Sequence, residues 1–203
     1  LSGYRESDAS LKSLIDTFSV EPLNKAFFKE YRENVFNTIV AEVQSSFADV
    51  EGARLFTQRL LNRLMFLYFI QKKGWMHFEG DRNYLRRVFD VSIAKGENFY
   101  RDRLYWIFFY GLSHHAESIE VKDDPFLQDK RGHVAYLNGG LFEMEADGSD
   151  EKGKVPISND RFADVLRLFE SYNFTIDEST PFDIQVAVDP EMLGKVFEEL
   201  VTG

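Results

Sequence analysis

The run Leu64-Met65-Phe66-Leu67-Tyr68-Phe69-Ile70 places apolar side chains in every direction around a helix. A surface helix keeps one polar face, whereas a helix apolar all round must be covered on every side. A chain containing this segment therefore has to wrap other elements about it. The longer apolar stretch from Leu60 to Ile70 is about half of the roughly 20 residues a bilayer requires. Asn62 and Arg63 also interrupt it. It reads as the centre of a soluble core, and 20 Phe and 9 Tyr in 203 residues supply the filling.

The rest of the pattern is mostly helical. Ser7 or Asp8 is placed to cap a short helix running toward Thr17. Ser19 is placed to cap a second, with Pro22 in its first turn, where a missing N–H does no harm. Leu23, Phe27, Phe28, Tyr31, Val35, Phe36, Ile39 and Val43 then recur at helical intervals. A third helix is expected from Gly52 to Lys72, with Leu55, Phe56, Leu60 and Leu64 inward and Arg54, Gln58 and Arg59 outward; Gly74 is its natural stop. Asp81 is placed to cap a helix through Tyr84, Leu85, Val88 and Phe89. Tyr100 to Leu112 makes another, in which Trp106 reads as core.

Beyond His114 the chain is irregular and rich in Asp, Gly and Pro, and Gly148 to Gly153 is expected to be an exposed, mobile loop. Ser158 or Asn159 starts a helix through Phe162, Val165, Leu166, Leu168 and Phe169. Phe174 to Val188 has the character of a short strand or extended arm. Asp189 and Pro190 open a last helix with Met192, Leu193, Val196, Phe197 and Leu200 as its stripe. The expected fold is mainly α, a bundle of six to eight helices with a small irregular or β element in the C-terminal third. The divisions are a helical core over 1–113, a loop-rich segment over 114–158 and C-terminal helices over 159–203.

Composition narrows the chemistry. The absence of cysteine excludes disulfides, thiolate metal sites and cysteine nucleophiles, and fits a cytoplasmic setting. The start, Leu1-Ser2-Gly3-Tyr4, has no signal-peptide apolar region and no initiator Met, so a piece of a longer chain is expected. His77, His114, His115 and His133 show no metal-ligand spacing. Gly139-Gly140 is not followed by Gly-Lys-Ser/Thr, and no nucleophile elbow occurs. Glu120-Val121-Lys122 fits half of a Glu-x-Lys nuclease motif, but the nearest upstream aspartate, Asp102, falls on a helix. No catalytic, cofactor-binding or metal-binding residue is assigned.

A net charge of −10 argues against a generic basic nucleic-acid binder. Charge is uneven, however. Between Glu51 and Asp90 eight basic residues face four acids. Arg54, Arg59, Arg63, Lys72 and Lys73 are therefore candidate contacts to a DNA backbone, with an ordinary solvated helix face as the plain alternative. The Asn138-Gly139-Gly140 turn also has two readings. It is a tight turn in which glycine supplies positive φ, or, together with Phe142, a docking point for a neighbouring domain.

Several stretches carry a resemblance. They are Phe18-Ser19-Val20-Glu21 with Leu23 to Tyr31, Gln58 to Trp75, Tyr136-Leu137-Asn138-Gly139-Gly140-Leu141-Phe142-Glu143, Tyr172-Asn173-Phe174-Thr175 and Asp189 to Glu198. In this order they resemble the helical region ahead of the methylase domain in Eco57I-like type II restriction-modification enzymes, adenine-specific DNA methyltransferases often fused to a nuclease. The resemblance implies a helical connector that positions catalytic domains and leads at its C-terminal end toward a methylase domain. It implies S-adenosylmethionine for the parent protein, Mg where a nuclease is fused, and DNA and the adjacent domains as partners, with no membrane. The family's Gly-x-Tyr-Tyr-Thr-Pro, Gly-rich and Asn-Pro-Pro-Tyr/Phe motifs do not occur in these 203 residues, so no catalytic role passes to any position. A stand-alone helical interaction module and a nuclease built on Glu120 and Lys122 are the competing expectations.

Overall fold

The structure is a computed structural model that describes residues 25–112, 125–134 and 140–172. Among these residues six helices form the fold and no extended sheet is present; two isolated bridges, His77 with His133 and Phe78 with Asp81, are the only strand-like pairings. The mainly α expectation holds. The expected caps at Ser7, Asp8 and Ser19, the arm from Phe174 to Val188 and the last helix lie outside the described residues.

Helix α1 covers residues 25–43 and widens into a π turn at Tyr31–Phe36. Phe27, Tyr31, Val35, Phe36, Ile39, Val40 and Val43 are all buried along it. A 3-10 turn at Gln44–Ser46 ends it, and Phe47 and Asp49 are extended. Asp49 then caps α2 (Val50–Lys72), its Oδ1 accepting the Gly52 N–H at 2.8 Å. The 23 residues of α2 give it a length of about 34 Å.

Helix α2 is central, as its apolar run requires. Leu60, Leu61, Leu64, Met65, Leu67, Tyr68 and Ile70 are buried. Two expectations change. Leu55 is 39% exposed, while Gln58 is buried, so the first half of the helix is turned slightly from the face its leucines suggest. Phe66 is also 39% exposed, packing its ring against Phe142 at 5.8 Å, so the wrapping is not complete. At the C-terminal end Gly74 takes φ +75°, and its N–H reaches the Gln71 carbonyl at 2.9 Å. This is the stop its position predicts.

Helix α3 (Tyr84–Ala94) is capped from a neighbour rather than from its own chain start. The Gln71 Oε1 of α2 accepts the Leu85 N–H at 2.9 Å. Asp81 instead shapes the preceding turn, accepting from the Asn83 N–H. Helix α4 (residues 99–112) contains two π turns, Tyr100–Leu104 and Ile107–Leu112. Helix α5 (Pro125–Arg131) lies against it, and α6 (Asn159–Ser171) closes the bundle with Phe162, Val165, Leu166, Leu168 and Phe169 inward. Asparagines join the starts of α4 and α6: Asn98 Nδ2 donates to the Ile157 carbonyl, Asn159 Oδ1 accepts the Phe99 N–H, and Asn159 Nδ2 donates to the Glu97 carbonyl.

Arg103 is fully buried in α4, where it meets the Glu97 carboxylate and the Asp129 carbonyl. Lys130 of α5 shares Glu97. Lys95 lies 2.8 Å from Asp129, and its ammonium group holds that carboxyl below the usual range. These pairs tie α3, α4 and α5 at one end. Beside them Gly132 sits at φ +59°, and a Cβ there would lie 2.7 Å from Phe78 Cδ2 and 2.9 Å from the His77 carbonyl oxygen. Both the left-handed backbone and the close approach demand glycine. Gly132→Ala should lower stability by about 2–4 kcal/mol, combining left-handed strain with overpacking, read as a shift of the urea midpoint.

Candidate functional site

The five cations singled out from sequence do not share one face. Arg54 is half-buried beside the Phe36 ring, with Glu51 3.8 Å away. Arg59 donates to the Ser149 hydroxyl at 3.0 Å and lies near Glu145 and Asp147. Arg63 is only 2% exposed. Its Nη1 and Nη2 meet both oxygens of Asp150 at 2.8 and 2.9 Å, while Nε and Nη2 also donate to the carbonyls of Leu141 and Glu143. The rings of Phe108 and Phe109 cover the guanidinium. A group so enclosed offers nothing to a phosphate. Arg63 is structural, and Arg59 is largely spent on the same segment.

The same bonds revise the reading of Gly148 to Gly153. Its glycine ends, Glu151 and Lys152 are on the outside, but Ser149 and Asp150 are 5% and 1% exposed. The Ser149 hydroxyl and N–H both donate to Asp147, holding that carboxyl below its usual range. The segment is a clamp fastened to α2 by Arg63.

Phe142 is buried between Phe66 and Phe108, so its ring fills the core and is not free for interdomain docking. Gly140 opens a 3-10 turn, Gly140–Phe142. Asn138 and Gly139 lie outside the described residues, as do Glu120, Lys122, His114 and His115. Asp102 accepts from the Asn98 N–H and pairs with Arg101, which holds its carboxyl low. His77 and His133 stack at 4.6 Å across their bridge. Among the described residues no group of three or more His, Cys, Asp or Glu is placed to hold a metal.

Lys72 and Lys73 do converge, on a cleft of about 450 Å³ between the end of α2 and the start of α3. Arg82, absent from the sequence candidates, is the third cation there, and Tyr68, Gln71 and Asn83 line the polar floor. Lys72 Nζ lies 5.2 Å from the Tyr68 ring centre. Burial, with Glu170 nearby, pushes the Tyr68 hydroxyl up to about 12. Glu170 is the acid at the rim, and Arg86 takes both its oxygens at 2.8 and 2.7 Å. Arg82 was legible in outline: Lys72-Lys73-Gly74 and Asp81-Arg82-Asn83 flank a short connector, which returns the end of one helix to the start of the next. Three cations also mean that this cleft suits an anion and disfavours the positively charged sulfonium of S-adenosylmethionine.

No protein-family model and no solved structure matches the chain. Among curated proteins, it is 28% identical over 177 residues to an inferred type II restriction enzyme and methyltransferase of Methanocaldococcus jannaschii. The match covers 85% of this chain and 14% of that protein. The chain is thus similar to part of a restriction-modification protein. It spans only that small share of the relative's length, and none of the relative's chemistry is assigned to a residue here.

Arg63→Ala would leave Asp150 buried without its counter-ion, and Asp150→Ala the reverse. Each should lower stability by about 3–5 kcal/mol, and the double variant by clearly less than the sum. Urea unfolding of the four proteins in this cycle measures both.

Proposed function

We propose that the chain is the helical connector of a type II restriction-modification protein, holding catalytic domains at a fixed spacing rather than performing catalysis itself. The observation that carries this reading is the similarity over 85% of the chain to a much longer restriction enzyme and methyltransferase. The order of the Eco57I-like motifs agrees with it. So does the physical character of the chain, since a spacer must resist bending. Here α2 is fixed along its length, by Arg63 and Arg59 to the clamp at 145–150 and by Gln71 to α3. In this reading adenine methylation with S-adenosylmethionine, and Mg-dependent cleavage where a nuclease is fused, belong to domains beyond this chain.

The second reading, a stand-alone interaction module, draws on exposed Trp75, Phe66 and Met144. Reading the natural gene on both sides of these 203 codons separates the two. The connector reading expects Gly-x-Tyr-Tyr-Thr-Pro, a Gly-rich loop and Asn-Pro-Pro-Tyr/Phe downstream. It also expects the full-length product to transfer labelled methyl groups from S-adenosylmethionine to duplex DNA. A full-length product without those motifs and without methyl transfer would overturn it in favour of the module.

A further inference from the structure

We propose that the cleft formed by Lys72, Lys73 and Arg82 binds phosphates of the duplex DNA backbone. This rests on the reading of the chain as part of a DNA-handling protein and names the surface that meets the strand.

The cleft differs from its surroundings in how its charges are used. Most arginines on the described surface have a carboxylate partner: Arg86 has Glu170, Arg87 has Glu79, Arg101 has Asp102 and Arg161 has Glu42. Lys73 and Arg82 have none among the described residues, and Lys72 has only the Tyr68 ring. The one acid lining the cleft, Glu170, is held by two bonds from Arg86 and turned to that partner.

Helix electrostatics account for only part of this arrangement. Lys72 and Lys73 lie at the C-terminal end of α2, where cations complement the dipole. Arg82 lies just ahead of the N-terminus of α3, where a cation is disfavoured and an anion is welcome. The carbonyls of Phe69, Ile70 and Gln71 at the end of α2 are already bonded by the N–H groups of Lys73, Gly74 and Trp75, so these three do not require the lysine side chains.

The floor adds a neutral donor. Gln71 uses its Oε1 on the Leu85 N–H and turns its Nε2 toward Asn83 Oδ1, 3.4 Å away. With its oxygen engaged by Gln71, the Asn83 amide nitrogen has no hydrogen-bond partner among the described residues, and Asn83 lines the cleft. Three cationic side chains and an amide around an open concavity make a surface for the two unbridged oxygens of a phosphodiester. Contacts made to phosphate oxygens alone carry no sequence information, so the binding is independent of sequence.

The test is fluorescence anisotropy of a labelled duplex of about 20 base pairs with the 203-residue chain, repeated across a salt series. The wild type should bind, with an affinity that falls steeply with salt. Lys73→Gln/Arg82→Gln should weaken binding at least tenfold at low salt. The pair should also flatten the slope of log K against log salt by about 2, since each phosphate left without its cation removes about 0.9. Arg82→Lys should stay within about threefold of wild type, and Lys29→Gln/Arg32→Gln, two exposed cations of α1, should change it less than about twofold. Circular dichroism and urea midpoints close to wild type show that the variants are folded. No binding by the wild type, or equal losses from the α1 and cleft variants, overturns the proposal. Its failure is distinct from that of the connector reading: methyl transfer by the full-length protein with the cleft neutralised and DNA affinity unchanged would sink the cleft alone. A gene without methylase motifs would sink the connector alone.

Discussion

Arg63 sits inside the molecule because Asp150 is there to meet it, and the way the segment at 141–150 lies on the core follows from that pair. Burying a charge without a partner is prohibitive, and a buried pair holds only if its remaining hydrogen-bonding groups are satisfied. The carbonyls of Leu141 and Glu143 and the rings of Phe108 and Phe109 meet that demand. A single guanidinium thereby fixes a 3-10 turn, an irregular segment and the inner face of α4 to the middle of α2. Replacing the pair with apolar side chains could be as stable. It would lose the directional bonds that allow one arrangement of the clamp.

A second charged centre works differently. Around Arg103 the partners come from the start of α4 and from α5, and the asparagine bonds extend the junction to α6. The first centre sets how the irregular segment lies on the core. The second sets how the helices meet at their ends. Between them the cleft at the end of α2 is left with cations that neither centre uses, on a chain whose overall charge is negative.

The central helix was legible because seven successive apolar residues admit few other fates, and Gly74 and Asn159 marked ends where backbone chemistry decides. Three things were hidden. Arg63 looks like a surface cation by composition, and only its partner 87 residues away shows otherwise. Gly148 to Gly153 has the composition of a solvent loop, but one aspartate within it is held by a distant group. The π turns of α1 and α4 each add a residue to the winding, so a strict 3.6-residue reading loses phase across them. Ile107, Phe108 and Phe109 are accordingly buried in succession, where a regular amphipathic helix would bury only part of the run. For the candidate site, Lys72 and Lys73 were visible as a basic pair. Arg82 joins them where the short connector and the bond from the Leu85 N–H to Gln71 bring the start of α3 to the end of α2.

The 87-residue separation of Arg63 and Asp150 has a bearing on how the chain is made. During synthesis the central helix leaves the ribosome with its arginine unmatched. At roughly 5–20 residues per second, the matching aspartate follows about 4 to 17 seconds later. Until then the Arg63 guanidinium has water in place of its carboxylate partner, since burying it alone would be costly. The packing of Leu141, Glu143 and Asp150 around the guanidinium is therefore among the contacts that follow the synthesis of residue 150, well after α2 itself has been made.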